Sequence, residues 1–144
     1  VACVILYEVK EYIYRGCGNF SMEKLFWVGF GGALGAIFRY LLGLLPVRGI
    51  FPFITLGINF AGAVLIGAVV CMSDNAGLSE NVLFFLKTGF CGGFTTFSTF
   101  SLETLELLER GRPVYAISYV FCSVLFCVFG VWVGEKIISL LLYR

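Results

Sequence analysis

The sequence predicts an all-α membrane protein of four transmembrane helices, and three observations carry that expectation. Of its 144 residues, 60% are hydrophobic and only 13% charged, whereas a soluble domain is about half apolar and about a quarter charged. The mean hydropathy is +0.98, too high for a surface that must face water. The apolar residues fall into long runs parted by turn-forming clusters, and a bilayer span takes about 20 residues, so four spans and their loops nearly exhaust the length. No room is left for a separate soluble catalytic domain.

The first span is expected from about Leu25 to Leu45, where Pro46 cannot continue a helix and restricts the residue before it. Arg39 is its only charge. The second, about Phe53 to Met72, carries no charge and stops in Ser73-Asp74-Asn75-Ala76-Gly77. The third starts near Val82 and reaches about Leu108, but Gly92-Gly93, Thr95-Thr96 and Ser98-Thr99 put poor helix formers at its centre. A break is expected there. After Arg110-Gly111-Arg112-Pro113 the fourth span runs from about Tyr115 to Val133, or on to Leu142, with Glu135 and Lys136 near the interface. Gly31 and Gly35 in the first span, and Gly130 and Gly134 in the fourth, are spaced so that helix backbones can approach closely.

Residues 1–21 do not fit this plan, since Glu8, Lys10, Glu11 and Arg15 lie among aromatics. They read as an N-terminal extension or a peripheral amphipathic segment, and the extension is the preferred reading, with the membrane domain at 22–144. Val1 to Tyr7 has no basic region before it, so insertion is expected to rely on the first span.

Composition also excludes functions. A net charge of +1 without a basic run gives no field for nucleic acid. Histidine is absent, which removes the commonest metal ligand and general base, so enzyme chemistry is not expected. Cys3, Cys17, Cys71, Cys91, Cys122 and Cys127 form no CxxC pair and read as packing residues.

Orientation follows Lys and Arg in the cytoplasmic loops, and here the two sides nearly balance. Lys24, Lys136 and Arg144, with Lys87 if it sits in the interface, oppose Arg48, Arg110 and Arg112. Charge counting therefore leaves open both a single topology of small bias and a pair of oppositely inserted copies about an in-plane two-fold axis.

The densest stretch is Gly89-Phe90-Cys91-Gly92-Gly93-Phe94-Thr95-Thr96-Phe97-Ser98-Thr99-Phe100-Ser101-Leu102-Glu103. Backbone broken inside a bilayer persists only where protein, water or an ion replaces the lost partners. Carbonyls released near Gly92 and Thr95 suit a hard cation. A kink satisfied by the neighbouring hydroxyls is the alternative, and this span by itself favours the kink.

Gly31-Gly32-Ala33-Leu34-Gly35-Ala36-Ile37-Phe38-Arg39-Tyr40, then Thr55-Leu56-Gly57-Ile58-Asn59-Phe60-Ala61-Gly62, then the part of this run from Gly92 to Glu103 resemble the three signatures of the Fluc/CrcB fluoride channels, in the same order and on the same spans. The likeness covers about Met22 to Gly134. It implies an antiparallel, dual-topology homodimer of four-span subunits in the cell inner membrane or plasma membrane, with two fluoride pathways and a central structural sodium ion. By the resemblance, Gly92 and Thr95 supply carbonyls to the sodium, and Phe97 and Phe100 line the pores. Asn59 matches the pore asparagine, with Thr55 one turn before it. Tyr119 and Ser123 match a polar track whose continuation is here Cys127, Glu103 matches an acid near one pore mouth, and Arg39 matches the arginine of the first span.

Those residue types suit a small, strongly hydrated anion. Asn59, Thr55, Tyr119 and Ser123 offer N–H or O–H donors, and Phe rings present a positive edge while excluding water. A Lys or Arg inside the path would hold so compact an anion too long, so an interior poor in cations other than Arg39 fits conduction. An inside-negative potential contributes about 2.3 kcal/mol per charge per 100 mV toward anion exit, without ATP. Outside the resemblance, each residue has a plainer reading: phenylalanines as packing, Asn59 as helix glue, Tyr119 and Ser123 bonding a neighbouring carbonyl, Arg39 reaching to the interface. The rival functions are a small dual-topology drug/proton antiporter, which needs an intramembrane carboxylate that the first two spans lack, and a non-transporting membrane assembly subunit.

Overall fold

The computed structural model describes residues 21–47 and 49–143. The expected extension, apart from Ser21, lies outside them, as do Cys3, Cys17 and the charges Lys10, Arg15, Arg48 and Arg144. Helices make up nearly all of the described chain. Helix α1 spans Met22–Gly43 and gives way to a turn before Pro46. Helix α2 spans Phe53–Ala76, four residues beyond the expected stop at Met72. Ser73 to Ala76 stay helical because the backbone turns out only at Gly77, whose φ of 70° is a left-handed conformation that glycine adopts without cost.

Helix α3 is composite: an α turn Glu80–Leu83 capped by the Ser79 side chain, a π-helical stretch Phe84–Cys91, and a last turn Gly92–Phe94. Helix α4 spans Phe97–Glu109, and α5 spans Pro113–Leu142, with Pro113 in the first turn, where its missing N–H costs nothing. The longer of the two expected ends for the last helix is the one observed. Three of these helices, α1, α2 and α5, are long and apolar enough to cross a membrane, and the chain is a helical membrane protein.

Packing is by backbone contact along two seams. A Cβ on Gly35 would lie 2.2 Å from the Phe90 carbonyl oxygen, and one on Gly93 would lie 2.3 Å from that of Gly32, so α1 and α3 touch where their glycines face each other. On the other seam a Cβ on Gly134 would lie 2.1 Å from the Val64 carbonyl oxygen, which draws α5 onto α2. The buried apolar core is small, with Leu107, Ala116 and Tyr119 packed by Phe51, Leu56 and Phe100. Most large apolar side chains point outward, Leu25, Phe26, Ile117, Phe121 and Val128 among them. Water would not tolerate such a surface; lipid or a second protein surface does.

Candidate functional site

Helical winding stops at Phe94 and resumes at Phe97, with Thr95 (φ −77°, ψ 158°) and Thr96 (φ −148°, ψ 112°) extended between. The interruption leaves backbone groups to be satisfied, and several named side chains take them over. The Asn59 amide from α2 meets Thr96 twice. Its Nδ2 donates to the Thr96 carbonyl at 3.1 Å, and its Oδ1 accepts from the Thr96 N–H at 2.8 Å. Arg39 donates from Nε to the Gly93 carbonyl at 3.1 Å. Thr95 closes the end of α3, its N–H and its hydroxyl both donating to the Cys91 carbonyl. Thr96 opens α4 as N-cap, its Oγ1 accepting from the Thr99 N–H at 3.2 Å.

Two carbonyls remain. In an unbroken helix the Gly92 carbonyl would accept from Thr96 and the Thr95 carbonyl from Thr99, but those N–H groups are taken by Asn59 and by the cap. Among the described residues no hydrogen bond reaches either carbonyl. Two bare oxygens three residues apart, on a backbone that Gly92 leaves uncovered, are the donor type a hard cation prefers.

Beside the break runs a groove of about 490 Å³, lined by Asn59, Gly92, Thr95, Phe97, Phe100, Ser123 and Cys127 among others, with Lys87 toward the start of α3. Phe97 and Phe100 stand 5.5 Å apart between ring centroids, tilted by 44°. Phe100 packs on Tyr119, whereas Phe97 is 79% exposed. Ser123 is buried, and its hydroxyl has no hydrogen-bond partner. A buried polar atom in that state is rare and calls for a partner that the described residues do not supply.

The remaining expected site residues form a second group. The Thr55 hydroxyl donates to Glu103 Oε1 at 2.8 Å and the Tyr119 hydroxyl to Oε2 at 2.7 Å, so one carboxylate is held by two buried hydroxyls. Arg39, Thr55 and Glu103 share a smaller cavity with Thr96 and Thr99. Tyr119 and Ser123, four apart on α5, therefore serve different neighbours: Tyr119 meets Glu103, and Ser123 lines the groove. Cys127 continues the groove wall below Ser123. The sequence counts Lys87 toward orientation only if it sits in the interface and gives it no part in the site; the structure places it on the groove wall with Cys91 and Thr95, at four-residue steps along the chain.

The site thus belongs to a helical membrane protein in which an interrupted helix with bare carbonyls borders an amphipathic groove. The sequence matches the family described as "CrcB-like protein, Camphor Resistance (CrcB)" over residues 26–135, and the chain belongs to that family. It is similar to the "Fluoride-specific ion channel FluC" of Leptospira interrogans, 45% identical over 122 residues, which cover 79% of this chain and 95% of that one. The proteins of the same name from Azobacteroides pseudotrichonymphae (42% over 108 residues, 72% of this chain and 86% of that one) and Campylobacter fetus (41% over 122 residues, 78% and 94%) are similar too.

Proposed function

We propose that this chain is the subunit of a fluoride-selective passive channel, a transporter and not an enzyme, that lets fluoride leave the cytoplasm. In this reading α3 and α4 together form a fourth span, broken at Thr95–Thr96, and two copies insert antiparallel and close the groove between them to give two pathways. The observation that carries it is the unpartnered Ser123 hydroxyl in the groove wall shared by Phe97 and Phe100. A buried donor without a partner, next to rings whose edges are positive, fits a small anion that must shed water. The names borne by the relatives above support the same substrate. The exposed Phe97 ring and the uncovered apolar faces support a second copy.

The bare carbonyls of Gly92 and Thr95 fit a sodium ion, and with an inverted copy they would supply four oxygens to one central cation. Bound there, the ion would tie two broken helices together. Asn59 and Arg39 keep the break open on each side by occupying the groups that would otherwise re-form helix. The glycine-lined seams hold α3 against α1, so the groove keeps its shape while an ion passes.

Purified protein reconstituted in liposomes loaded with fluoride and chloride, with efflux followed by selective electrodes, tests this function. Fluoride is expected to leave at least about a hundredfold faster than chloride, since conduction through weak sites rests on fit to one ion. Equal fluxes of the two halides would exclude a fluoride-selective channel. Uptake of a cationic drug driven by a pH gradient would indicate the antiporter instead.

A further inference from the structure

We propose that Lys87 is the anion-collecting residue of the groove, a charge that raises the local fluoride concentration there. The inference rests on the fluoride-channel reading and adds to it a residue that the reading does not use. Lys87 lies in the π-helical stretch of α3, is exposed, and lines the same groove as Asn59, Phe100 and Ser123. Among the described residues no carboxylate lies within ion-pair distance of it. The charge nearest in sequence is committed elsewhere, since Glu80 is paired with Lys24.

The electrostatics follow from that placement. An ammonium group on a flexible stem is a compact, strongly hydrated point charge with three donors, and a low-dielectric groove focuses its field along the groove. Because it is exposed, Lys87 keeps water around it and attracts an anion without stripping it, so it need not trap the ion. Dehydration falls to the next segment, where Phe97, Phe100 and the Ser123 hydroxyl lie. The Glu103 carboxylate, held by Thr55 and Tyr119, lines a separate cavity with Arg39. Among the residues lining the groove Lys87 is the one that carries a charge, so the field along it is positive. A lysine that merely reaches from an apolar helix to the interface would share the exposure but would not control ion flux.

Fluoride efflux from liposomes, measured for wild type, Lys87→Gln and Lys87→Arg over a range of fluoride concentrations, tests the proposal. At low fluoride, Lys87→Gln should conduct about three- to tenfold more slowly than wild type, the deficit shrinking as fluoride rises, and Lys87→Arg should stay near wild type. On the wild-type protein alone, adding potassium isethionate should slow low-fluoride efflux, because the Debye length falls from about 30 Å at 0.01 M to about 10 Å at 0.1 M. A deficit that is the same at every fluoride concentration, no deficit at all, or a wild-type flux indifferent to ionic strength would overturn the role of Lys87. Failure of the wild type to conduct fluoride would instead overturn the channel reading beneath it.

Discussion

The Asn59 side chain holds both backbone groups of Thr96, accepting from its N–H at 2.8 Å and donating to its carbonyl at 3.1 Å. One amide from α2 therefore does for Thr96 what a neighbouring strand would do in a sheet, and it is this clamp that lets two extended residues sit between helices in an apolar surrounding. Asn59→Ala leaves both Thr96 groups unpaired, at a cost of about 1–3 kcal/mol for each group. Thermal unfolding in detergent should show a loss of roughly 2–6 kcal/mol, and fluoride flux should fall with it. Equal stability of Asn59→Ala and wild type would show that the break does not depend on the clamp.

The α1–α3 seam makes an equally direct prediction. A methyl at Gly35 would stand 2.2 Å from the Phe90 carbonyl oxygen and 2.7 Å from the Phe94 nitrogen, both backbone atoms that cannot rotate away. Gly35→Ala should force the helices apart and destabilise the protein by about 1–3 kcal/mol. Gly29 in the same helix has nothing within 4 Å of where a Cβ would go. Gly29→Ala should be neutral or stabilising by up to about 1 kcal/mol, through helix propensity. Parallel chemical-denaturation curves of the two variants check the contrast, and equal effects would refute the seam.

Much of this was legible in the sequence, for identifiable reasons. Pro46, Gly77 and Pro113 punctuate the helices because each constrains the backbone wherever it stands, and the Gly92 to Thr99 run announces its break through the same local chemistry. The Asn59 clamp was visible only as a lone amide that needed a partner, since sequence does not say which groups across 37 residues meet. Thr55 and Tyr119 were read as open donors, but in the structure both point to Glu103, a pairing set by how α2, α4 and α5 pack and not by spacing along any one helix. Lys87 carries no local mark of the groove that it lines. Its place there depends on how α3 lies beside α2, α4 and α5, which spacing along one helix does not state.

The terminal side of the bundle carries a titratable latch. Glu80 at the start of α3 meets Lys24 of α1 at 2.6 Å, and the hydrogen bond and charge of Lys24 hold its carboxyl below the ordinary value of 4.5. A depressed folded-state value means that the pair stabilises above pH 4.5 and that its contribution is lost as pH falls through the lowered value. Glu80 is fully exposed, so the effect should be small and screened by salt. Unfolding followed from pH 7 to pH 3 at low ionic strength should show an acid-side decline in wild type that is shallower in Glu80→Gln. Identical pH profiles would show that the pair contributes nothing.

Ser123 separates a binding role from a structural one most sharply. Its hydroxyl is buried and bonds nothing, so the folded chain bears the cost of desolvating it without return. Ser123→Ala removes that cost, and the variant should be as stable as wild type or more stable by up to about 1 kcal/mol. Were the serine a packing or helix-bonding residue, the same change would destabilise. Flux should move the other way, because an anion at this point of the groove loses one donor: a hydrogen bond to a charged group is worth about 1.5–3 kcal/mol, which corresponds to a roughly tenfold or larger fall in fluoride efflux. Ser123→Thr retains the hydroxyl and should recover most of the rate. Stability by thermal unfolding and efflux by fluoride electrode, measured on the same preparations, give the two readouts; a variant that unfolds more readily yet conducts like wild type would remove Ser123 from the pathway.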